Sequence, residues 1–508
     1  MPLMYCHAKL KNISQHTVIS AHLFLPDYSP MNRDSFYPAI ACFPLLLMLA
    51  GCAPMHETRQ ALSQHTLAVQ VDTALPTALK NGWPDSQWWL EYHDDQLTSL
   101  INNALQNAPD MQVAEQRIQL AEAQAKAVAT QDGPQLDFSA DMERQKMSAE
   151  GLMGPFALND PAAGTTGPWY TNGTFGLTAG WHLDIWGKNR AEVTARLGTV
   201  KARAAEREQT RQLLAGSVAR LYWEWQTQAA LNTVLQQIEK EQNTIIATDR
   251  QLYQNGITSS VEGVETDINA SKTRQQLNDV AGKMKIIEAR LNALTNHQTK
   301  SLKLKPVALP KVASQLPDEL GYSLLARRAD LQAAHWYVES SLSTIDAAKA
   351  AFYPDINLMA FLQQDALHLS DLFRHSAQQM GVTAGLTLPI FDSGRLNANL
   401  DIAKAESNLS IASYNKAVVE AVNDVARAAS QVQTLAEKNQ HQAQIERDAL
   451  RVVGLAQARF NAGLIAGSRV SEARIPALRE RANGLLLQGQ WLDASIQLTG
   501  ALGGGYKR

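Results

Sequence analysis

The side chains best suited to chemistry in this 508-residue sequence are three cysteines and twelve histidines. A cysteine thiolate can act as a nucleophile or a metal ligand, and a histidine can do acid–base or metal chemistry. The cysteines are Cys6, Cys42 and Cys52, all near the start, and the histidines lack the spacing of a zinc site. The sequence also contains neither a Gly-rich phosphate loop nor an HExxH motif. It therefore gives no positive support for an enzyme, a metal site or a bound cofactor.

The thiol of Cys52 stands where covalent modification is expected. Residues 36–50 form an apolar stretch that is too short to span a membrane as a helix, which is typical of a signal peptide. The stretch runs into Leu49-Ala50-Gly51-Cys52, which resembles the bacterial lipobox, a motif cleaved before a cysteine that carries a diacylglyceryl group. An ordinary secretory signal with a chance cysteine is the alternative. We expect diacylglyceryl and N-palmitoyl groups on Cys52, and we assign residues 1–51 to an N-terminal extension and a lipoprotein signal peptide.

The residues around this motif indicate the membrane to which the protein is sorted and the residue at which translation starts. Ala53 follows the cysteine, whereas the usual signal for retention in the inner membrane is aspartate at that place, so the motif implies sorting to the outer membrane. Residues 1–30 resemble neither a signal nor a domain, which makes Met31 a candidate start.

Two phrases recur in the two halves of the chain. GLTAGWHLDIWGKNR begins at Gly176 and GVTAGLTLPIFDSGR begins at Gly381, while PDMQVAEQRI and ADLQAAHWYV form a second pair in the same order. Such order indicates one structural unit used twice. We assign the first unit to residues 52–300 and the second to residues 320–508, joined by a proline-rich linker at residues 301–319.

The repeated phrases alternate apolar and polar residues with a period of two, which predicts β-strands with one apolar face. The apolar positions of the first phrase are Phe175, Leu177, Ala179, Trp181, Leu183 and Ile185, and those of the second are Met380, Val382, Ala384, Leu386, Leu388 and Ile390. Upstream of each lies another alternating run: Leu136, Phe138, Ala140 and Met142, then Ile356, Leu358, Ala360 and Leu362. We therefore predict four strands in two hairpins, the first with the longer loop.

The rest of each half is typical of long helices. Lys188–Gln254 and residues 396–461 contain no proline, and each would be about 100 Å long at about 1.5 Å per residue. Apolar residues at three- and four-residue steps, such as Leu214, Val218 and Trp225, form seams suited to coiled-coil packing. Shorter helices are predicted at residues 96–131, 261–295, 320–351 and 470–502. The expected fold is thus mainly α with four β-strands per chain.

Four amphipathic strands are too few to close a barrel within one chain. Open sheet edges do not occur in hydrocarbon, and bacterial outer-membrane barrels have at least about eight strands. Several chains must therefore pool their strands, with the polar face toward a lumen.

At this point the chain resembles the TolC-like outer membrane efflux protein family, and more narrowly its lipidated branch in multidrug resistance systems. The resemblance covers nearly everything after Cys52, including WPDSQWWLEYHDDQLTSLINNALQNAPDMQVAEQRI, FYPDINL, LPIFDSGR and the ending ALGGGY. It implies a homotrimer with a twelve-stranded membrane β-barrel and a long α-helical coiled-coil barrel in the periplasm. It further implies an outer-membrane exit duct for drugs or toxic compounds, docked to a periplasmic adaptor protein and fed by an inner-membrane efflux pump.

Two turns, Asn255-Gly256 and Ala462-Gly463, end the long helices, with glycine supplying backbone freedom. We expect them to form the periplasmic tip that meets the adaptor, although as geometry they are plain helix hairpins. The family often places two acidic residues one turn apart after the second tip, as a ring at the constriction. The matching positions here are Arg469 and Glu472, so Arg469 departs from that pattern. The pair forms either ion pairs between subunits that hold the tip shut, or solvated surface charges.

Composition and length exclude some functions and leave others open. The formal net charge of −3 excludes a strongly basic nucleic-acid binder. After Cys52 no segment is apolar for long enough to span a bilayer as a helix. A structural lipoprotein, such as a periplasmic tether or adaptor, is the main alternative, but it does not need strands with a wholly apolar face. A solute-modifying enzyme would need a cluster of polar residues that the sequence lacks.

Overall fold

Seven α-helices and four β-strands lie within the residues that the computed structural model describes, namely Met55 and residues 62–63, 83–151, 167–257, 259–296, 302–311 and 326–506. The helices are α1 (Asp95–Asn107), α2 (Pro109–Ala129), α3 (Lys188–Gln254), α4 (Ser260–Leu294), α5 (Ala329–Ala350), α6 (Arg395–Asn461) and α7 (Gly467–Ala501). The strands are β1 (Gln135–Lys146), β2 (Trp169–Leu183), β3 (Asp355–Ala366) and β4 (Gln378–Thr387). From α2 in the first half and from α5 in the second, the order is therefore the same: a helix, two strands, a long helix and a shorter helix.

The four predicted strands form one antiparallel sheet in the order β1-β2-β3-β4. The two hairpins meet along β2 and β3, which pair from Gly173 with Ala366 to Leu183 with Ile356. The strands β1 and β4 are the edges of this sheet, and each leaves one row of backbone groups without a partner strand in the described chain.

The two long helices are confirmed. Each has 67 residues, which corresponds to about 100 Å. Helix α3 packs against α2, α4, α5 and α7, and α6 packs against α5 and α7. The predicted seams face these neighbours, because Leu214, Val218 and Val425 are buried. Among the described residues, no helix is both long enough and apolar enough to cross a bilayer.

The core is concentrated around the middle of the long helices. One cluster joins the middle of α3 to α1, the end of α4 and the residues before α1, with Trp88, Trp89, Tyr222, Trp223 and Trp225 as its large side chains. A second cluster joins α5, the middle of α6 and the end of α7. Burial of these aromatic rings is a dominant apolar contribution to stability at this level of the molecule.

Two of the shorter helices differ from their predicted bounds. The prediction of one helix over residues 96–131 is wrong, because α1 ends at Asn107 and α2 begins at Pro109. Proline disfavours the helical conformation of the residue before it, and Ala108 is extended with ψ 136°. Helix α5 begins at Ala329 rather than at residue 320, and residues 312–325 lie outside the described chain. Helices α4 and α7 agree with prediction to within a few residues.

Three glutamine amides hold the predicted linker, of which residues 302–311 are described and irregular. Gln96 Oε1 accepts from the Lys305 amide at 2.9 Å, and Gln96 Nε2 donates to the Lys305 carbonyl at 3.1 Å. Gln226 Nε2 donates to the same carbonyl at 3.0 Å, and Gln226 Oε1 accepts from the Val307 amide at 2.8 Å. Gln488 Nε2 donates to the Pro310 carbonyl at 3.1 Å. The linker is therefore fixed to α1, α3 and α7.

The glycines after α7 close the fold. Gly503 has φ 96° and Gly505 has φ 81°, values that side chains rarely allow. A Cβ at Gly503 would stand 2.0 Å from the carbonyl oxygen of Arg327, and one at Gly505 would stand 2.0 Å from that of Asp85. The ending therefore packs backbone against backbone, between the start of α5 and the residues before α1.

Candidate functional site

The first candidate functional surface is the apolar face of the sheet. Residues opposite each other in an antiparallel pair share a face, so the register assigns every side chain to one side. One row crosses all four strands as Phe138, Leu177, Leu362 and Met380, and the next row is Leu136, Ala179, Ala360 and Val382. Val382 is 82% exposed in the single chain. The predicted apolar face is thus confirmed, and it is continuous along these two rows.

The strands are shorter than the apolar alternation predicted. They end at Leu183 and Thr387, so Ile185, Leu388 and Ile390 lie outside them. Pro389 follows Leu388 and has no amide hydrogen with which to continue the ladder.

The opposite face of the sheet is polar and mostly acidic or amide-bearing. Its rows contain Asp137, Ser139, Asp141, Glu143, Thr174, Thr178, Gln363, Asp365 and Gln379. Phe361 and Met359 are apolar exceptions on this face, and the ring of Phe361 covers Gly381. His182 also lies on this face, exposed, with Nδ1 3.4 Å from Asp355 Oδ2. Such a face suits contact with water, as the sequence predicted.

The two hairpin loops differ in length and in where they pack. The first loop spans residues 147–168 and the second spans residues 367–377, which confirms that the first is longer; its residues 152–166 lie outside the described chain. The second loop folds onto the apolar face, where Leu369 and Leu372 lie over Gly173. The ring of Phe373 lies 5.6 Å from that of Phe175.

An aspartate fixes the start of each long helix. Asp184 accepts from the amides of Asn189 and Arg190 at 3.1 and 3.0 Å. Asp392 accepts from the amide of Leu396 at 2.9 Å. Both satisfy amides of the first helical turn that have no partner within the helix. The repeated phrases therefore encode a strand followed by a fixed entry into a long helix.

The second candidate surface is the pair of turns that end the long helices. Gly256 donates to the Tyr253 carbonyl at 2.9 Å, and Ile257 donates to the Leu252 carbonyl at 2.9 Å. The second turn repeats this pattern, with Gly463 donating to Phe460 at 2.8 Å and Leu464 to Arg459 at 2.9 Å. This is a Schellman motif, in which the left-handed glycine reverses the chain. The two predicted turns, Asn255-Gly256 and Ala462-Gly463, are thus built alike.

Both turns end in an exposed apolar side chain. Ile257 and Leu464 occupy the same place after their glycines, and each is 70% exposed. On the first hairpin the exposed apolar surface continues along α4 through Val261, Val264 and Ile268. Within the described part of the chain these residues are exposed, although burying them would be favourable.

The predicted gate residues lie on the first turns of α7. Arg469 Nη1 donates to Glu472 Oε2 at 2.7 Å, a pair within one helix whose side chains are 68% and 39% exposed. The hydrogen bond to Glu472 raises the pKa of Arg469 above its usual value. The two charges are therefore brought together within a single chain, and pairing between subunits stays a prediction.

Sequence reasoning missed a second arginine near the tip. Arg474 Nη1 lies 3.4 Å from Glu241 Oε1, which joins α7 to α3 and so connects the two helical hairpins. Farther from the tip, Arg220 of α3 pairs with Asp493 of α7. No local spacing signals such pairs, because the partners are hundreds of residues apart in sequence.

The remaining sequence predictions concern covalent and metal chemistry. Cys52 and residues 1–51 lie outside the described chain. Within the described ranges, no cluster of three or more His, Cys, Asp or Glu side chains is arranged to hold a metal ion.

Two known outer membrane proteins of multidrug resistance are similar to this chain in sequence. The multidrug resistance outer membrane protein MdtQ of Escherichia coli O157:H7 is 98% identical over 478 residues, which cover 94% of this chain and 100% of that protein. The multidrug resistance outer membrane protein MdtP of the same organism is 36% identical over 91% of this chain and 94% of that protein.

Similarity to a solved structure extends this likeness to the fold. The outer membrane channel CmeC of Campylobacter jejuni superposes with a TM-score of 0.77 at 18% identity, covering 90% of this chain and 95% of that chain. The outer membrane efflux protein family matches residues 100–297 and 320–504, a span that includes α3, α4, α6, α7 and all four strands. The chain therefore belongs to the outer membrane efflux protein family.

Proposed function

We propose that this chain is one of three identical subunits of an exit duct, which carries drugs or toxic compounds from an inner-membrane pump and a periplasmic adaptor to the cell exterior. The two-faced sheet, continuous with two helices of 67 residues, carries this proposal. An outer-membrane duct needs both parts: a sheet with one face for lipid, and long helices that enclose a water-filled tunnel. No catalytic step is part of the proposed function.

The open edges of the sheet support a trimer. Lipid cannot satisfy the unpaired backbone groups of β1 and β4. Pairing β1 of one subunit with β4 of the next closes three four-stranded sheets into a barrel of twelve strands. The apolar face then contacts lipid and the polar face lines the lumen, as in other outer-membrane barrels.

The tip supports docking to an adaptor. The turns at Asn255, Gly256, Ala462 and Gly463 are rigidly closed by backbone hydrogen bonds and present the exposed side chains of Ile257 and Leu464. An exposed apolar patch at the end of a long helical hairpin suits a protein partner.

The charges beyond the second tip support a gate. In a trimer, three copies of Arg469 and Glu472 would encircle the axis near the tip. We propose that they contribute ion pairs between subunits that hold the resting tunnel closed, in competition with the bond that they form within α7.

Covalent lipid on Cys52 is a separate part of the proposal. Diacylglyceryl and N-palmitoyl groups would add a second attachment to the outer membrane beside the barrel. Mass spectrometry of the mature protein should find these groups on Cys52, and Cys52→Ser should leave unprocessed precursor or protein without acyl chains. A mature wild-type protein with an unmodified Cys52 would contradict this part alone.

Planar-bilayer conductance of the purified protein tests the function itself. We expect discrete conductance steps from a species that migrates as a trimer before heating and as a single chain after heating. A protein that gives no conductance, even with the adaptor or with the tip variants described below, would exclude a duct and favour a structural lipoprotein.

A further inference from the structure

The apolar face of the sheet changes character at its loop end. Along β1 the alternate positions on this face are apolar up to Met142, and the next two are Arg144 and Lys146. Both basic side chains are exposed. The register places Arg144 opposite Thr171 and Lys146 opposite Trp169 on the same face.

Two tryptophans set the height of these basic residues in a membrane. Trp169 and Trp181 lie on the apolar face, twelve residues apart on β2, and are 58% and 41% exposed. A rise of about 3.4 Å per residue and a strand tilt of about 40° separate them by about 30 Å in height. That is the thickness of a hydrocarbon core, whose two boundaries tryptophan prefers. Lys146 therefore lies at the boundary marked by Trp169.

This boundary belongs to the outer leaflet. The ends of β2 and β4 near Trp181 lead into the long helices, whereas the end near Trp169 leads into the hairpin loop. With the helices in the periplasm, the loop end faces the exterior.

The charges at this level are unbalanced. Within the described chain, neither Arg144 nor Lys146 forms an ion pair, and the nearby acidic residues of β1, Asp141 and Glu143, point to the opposite face. The second loop, which packs on the same face, adds no net charge there from its ion pair, in which Arg374 Nε lies 3.2 Å from Asp371 Oδ1. The outer rim of the lipid-facing surface is thus basic, while its apolar band carries no charge.

We propose that Arg144 and Lys146 bind the phosphate groups of lipid A in the outer leaflet. The proposal rests on the orientation of the sheet given under Proposed function. Lipid A supplies acyl chains for the apolar band and phosphates at its boundary. Guanidinium and ammonium groups form charge-assisted hydrogen bonds with phosphate oxygens. Each basic residue near an anionic membrane surface strengthens attachment about fivefold, so the two together should contribute about thirtyfold.

The test measures binding of lipid A to the detergent-purified full-length trimer by native mass spectrometry. Arg144→Gln with Lys146→Gln should bind bis-phosphorylated lipid A about thirtyfold more weakly than wild type. Lipid A stripped of its phosphates should bind wild type equally weakly. The charge-preserving pair Arg144→Lys with Lys146→Arg should bind nearly as wild type does. So should the control Lys283→Gln with Lys285→Gln, which removes two exposed charges from α4.

Two results would overturn the proposal. One is equal binding of lipid A by wild type and the double glutamine variant. The other is equal binding of phosphorylated and dephosphorylated lipid A by wild type, which needs no variant and decides the matter even if the glutamine variant does not fold. Conductance is read separately. If the wild-type protein binds phosphorylated lipid A more tightly than dephosphorylated lipid A but never conducts, the duct proposal is wrong and the lipid A site is still supported.

Discussion

The middle of helix α3 and the tip half of helix α4 differ in how far their apolar side chains are buried. In the middle of α3, Tyr222 and Trp223 are almost completely buried by other parts of the same chain. Near the tip, Val264 and Ile268 of α4 are exposed, although they belong to the same hairpin. The chain thus buries these aromatic rings itself and leaves Val264 and Ile268 for another surface to cover.

Polar groups follow the same division. In the middle, the Tyr222 hydroxyl donates to Asp94 Oδ2 at 2.7 Å, and Asp94 also accepts from the Leu97 amide at the start of α1. Burial first, and then the bond to Asp94, raises the pKa of Tyr222 well above its usual value, so the hydroxyl remains a donor at physiological pH. At the tip, Arg469 and Glu472 pair in water. A fixed middle and an adaptable tip suit a duct that opens at one end.

The largest effect on this difference between middle and tip is expected when the exposed apolar surface of α4 is made polar. We expect Val264→Asp with Ile268→Asp to destabilise the trimer while the pairing of β1 with β4 still joins its subunits, because each carboxylate that a neighbouring surface covers would lose its hydration without gaining a partner. The temperature at which the trimer dissociates, measured by gel migration after stepwise heating and by light scattering in detergent, should fall. The single chain should keep its helical circular dichroism, since both side chains are exposed among the described residues.

A matched control separates this effect from added charge alone. Gln276→Asp adds a carboxylate at an exposed position of α4 on another side of the helix, and the trimer should persist. If both variants dissociate at the same temperature as wild type, the exposed surface of α4 does not join the subunits, and the comparison between middle and tip would lose its basis.

The next largest effect should come from the buried amide that holds the linker. Gln226→Ala leaves the Val307 amide without Gln226, at about 1–3 kcal/mol, and removes one of the two side-chain hydrogen bonds to the Lys305 carbonyl, at about 0.5–1.5 kcal/mol, while Gln96 keeps the other. We expect a loss of about 2–4 kcal/mol on this basis. Faster tryptic cleavage after Lys303 and Lys311 should report release of the linker, since Pro306 protects the bond after Lys305.

The neighbouring Gln228 supplies the control for this prediction. It is buried on the same helix, but its Oε1 has no hydrogen-bond partner among the described residues. Gln228→Ala should therefore leave linker cleavage unchanged. If the two variants are cleaved at the same rate, the linker does not depend on the amide of Gln226.

A smaller effect is expected where the chain ending closes the middle of the molecule. Gly503→Ala would bring a Cβ to 2.0 Å from a backbone oxygen at φ 96°, so the backbone must shift. We expect a loss of about 1–3 kcal/mol from strain at such a conformation. Gly500→Ala is the control, since it lies inside α7 with open space around it, and it should be neutral or stabilising by up to about 1 kcal/mol. Thermal unfolding that ranks the two variants in the reverse order would contradict the packing described for the ending.

The sequence could predict the features that repeat locally. Helix α3 begins and ends where predicted, since its seam recurs every three or four residues and the Asn255-Gly256 turn stops it. Alternation likewise predicted the faces of the strands, and the glycines predicted both tips. The break before Pro109 was also readable from its proline, but the apolar pattern runs through it and hid the signal.

The sequence could not predict contacts between distant polar residues. The pair of Arg474 with Glu241 and the bonds of Gln226 to the linker join segments far apart in the chain. Each of these contacts involves a single polar residue on each segment, which produces no periodic pattern in the sequence. The contacts become visible only when the helices are packed together. The bond between Arg469 and Glu472 within α7 was not predicted either, although their spacing of three residues permits it.

The smallest expected effect concerns these tip charges, and it sharpens the comparison most. Arg469→Ala and Glu472→Ala should each raise the resting conductance of the trimer and its sensitivity to large antibiotics in cells. Exposed pairs contribute only about 0–1 kcal/mol, but a trimer repeats the pair three times around the axis. Exchanging the two charges in one double variant should restore closure in part.

Arg474→Ala is the companion variant, because it removes the contact between the two hairpins of one chain rather than a charge at the axis. If only Arg474→Ala raises conductance, the tip is held shut within each subunit by the pair with Glu241, and Arg469 and Glu472 are solvated charges that stabilise α7 alone. Wild-type conductance in all three single variants would remove charge pairing from the closed state altogether, while the duct itself, which depends on the sheet and the long helices, would be unaffected.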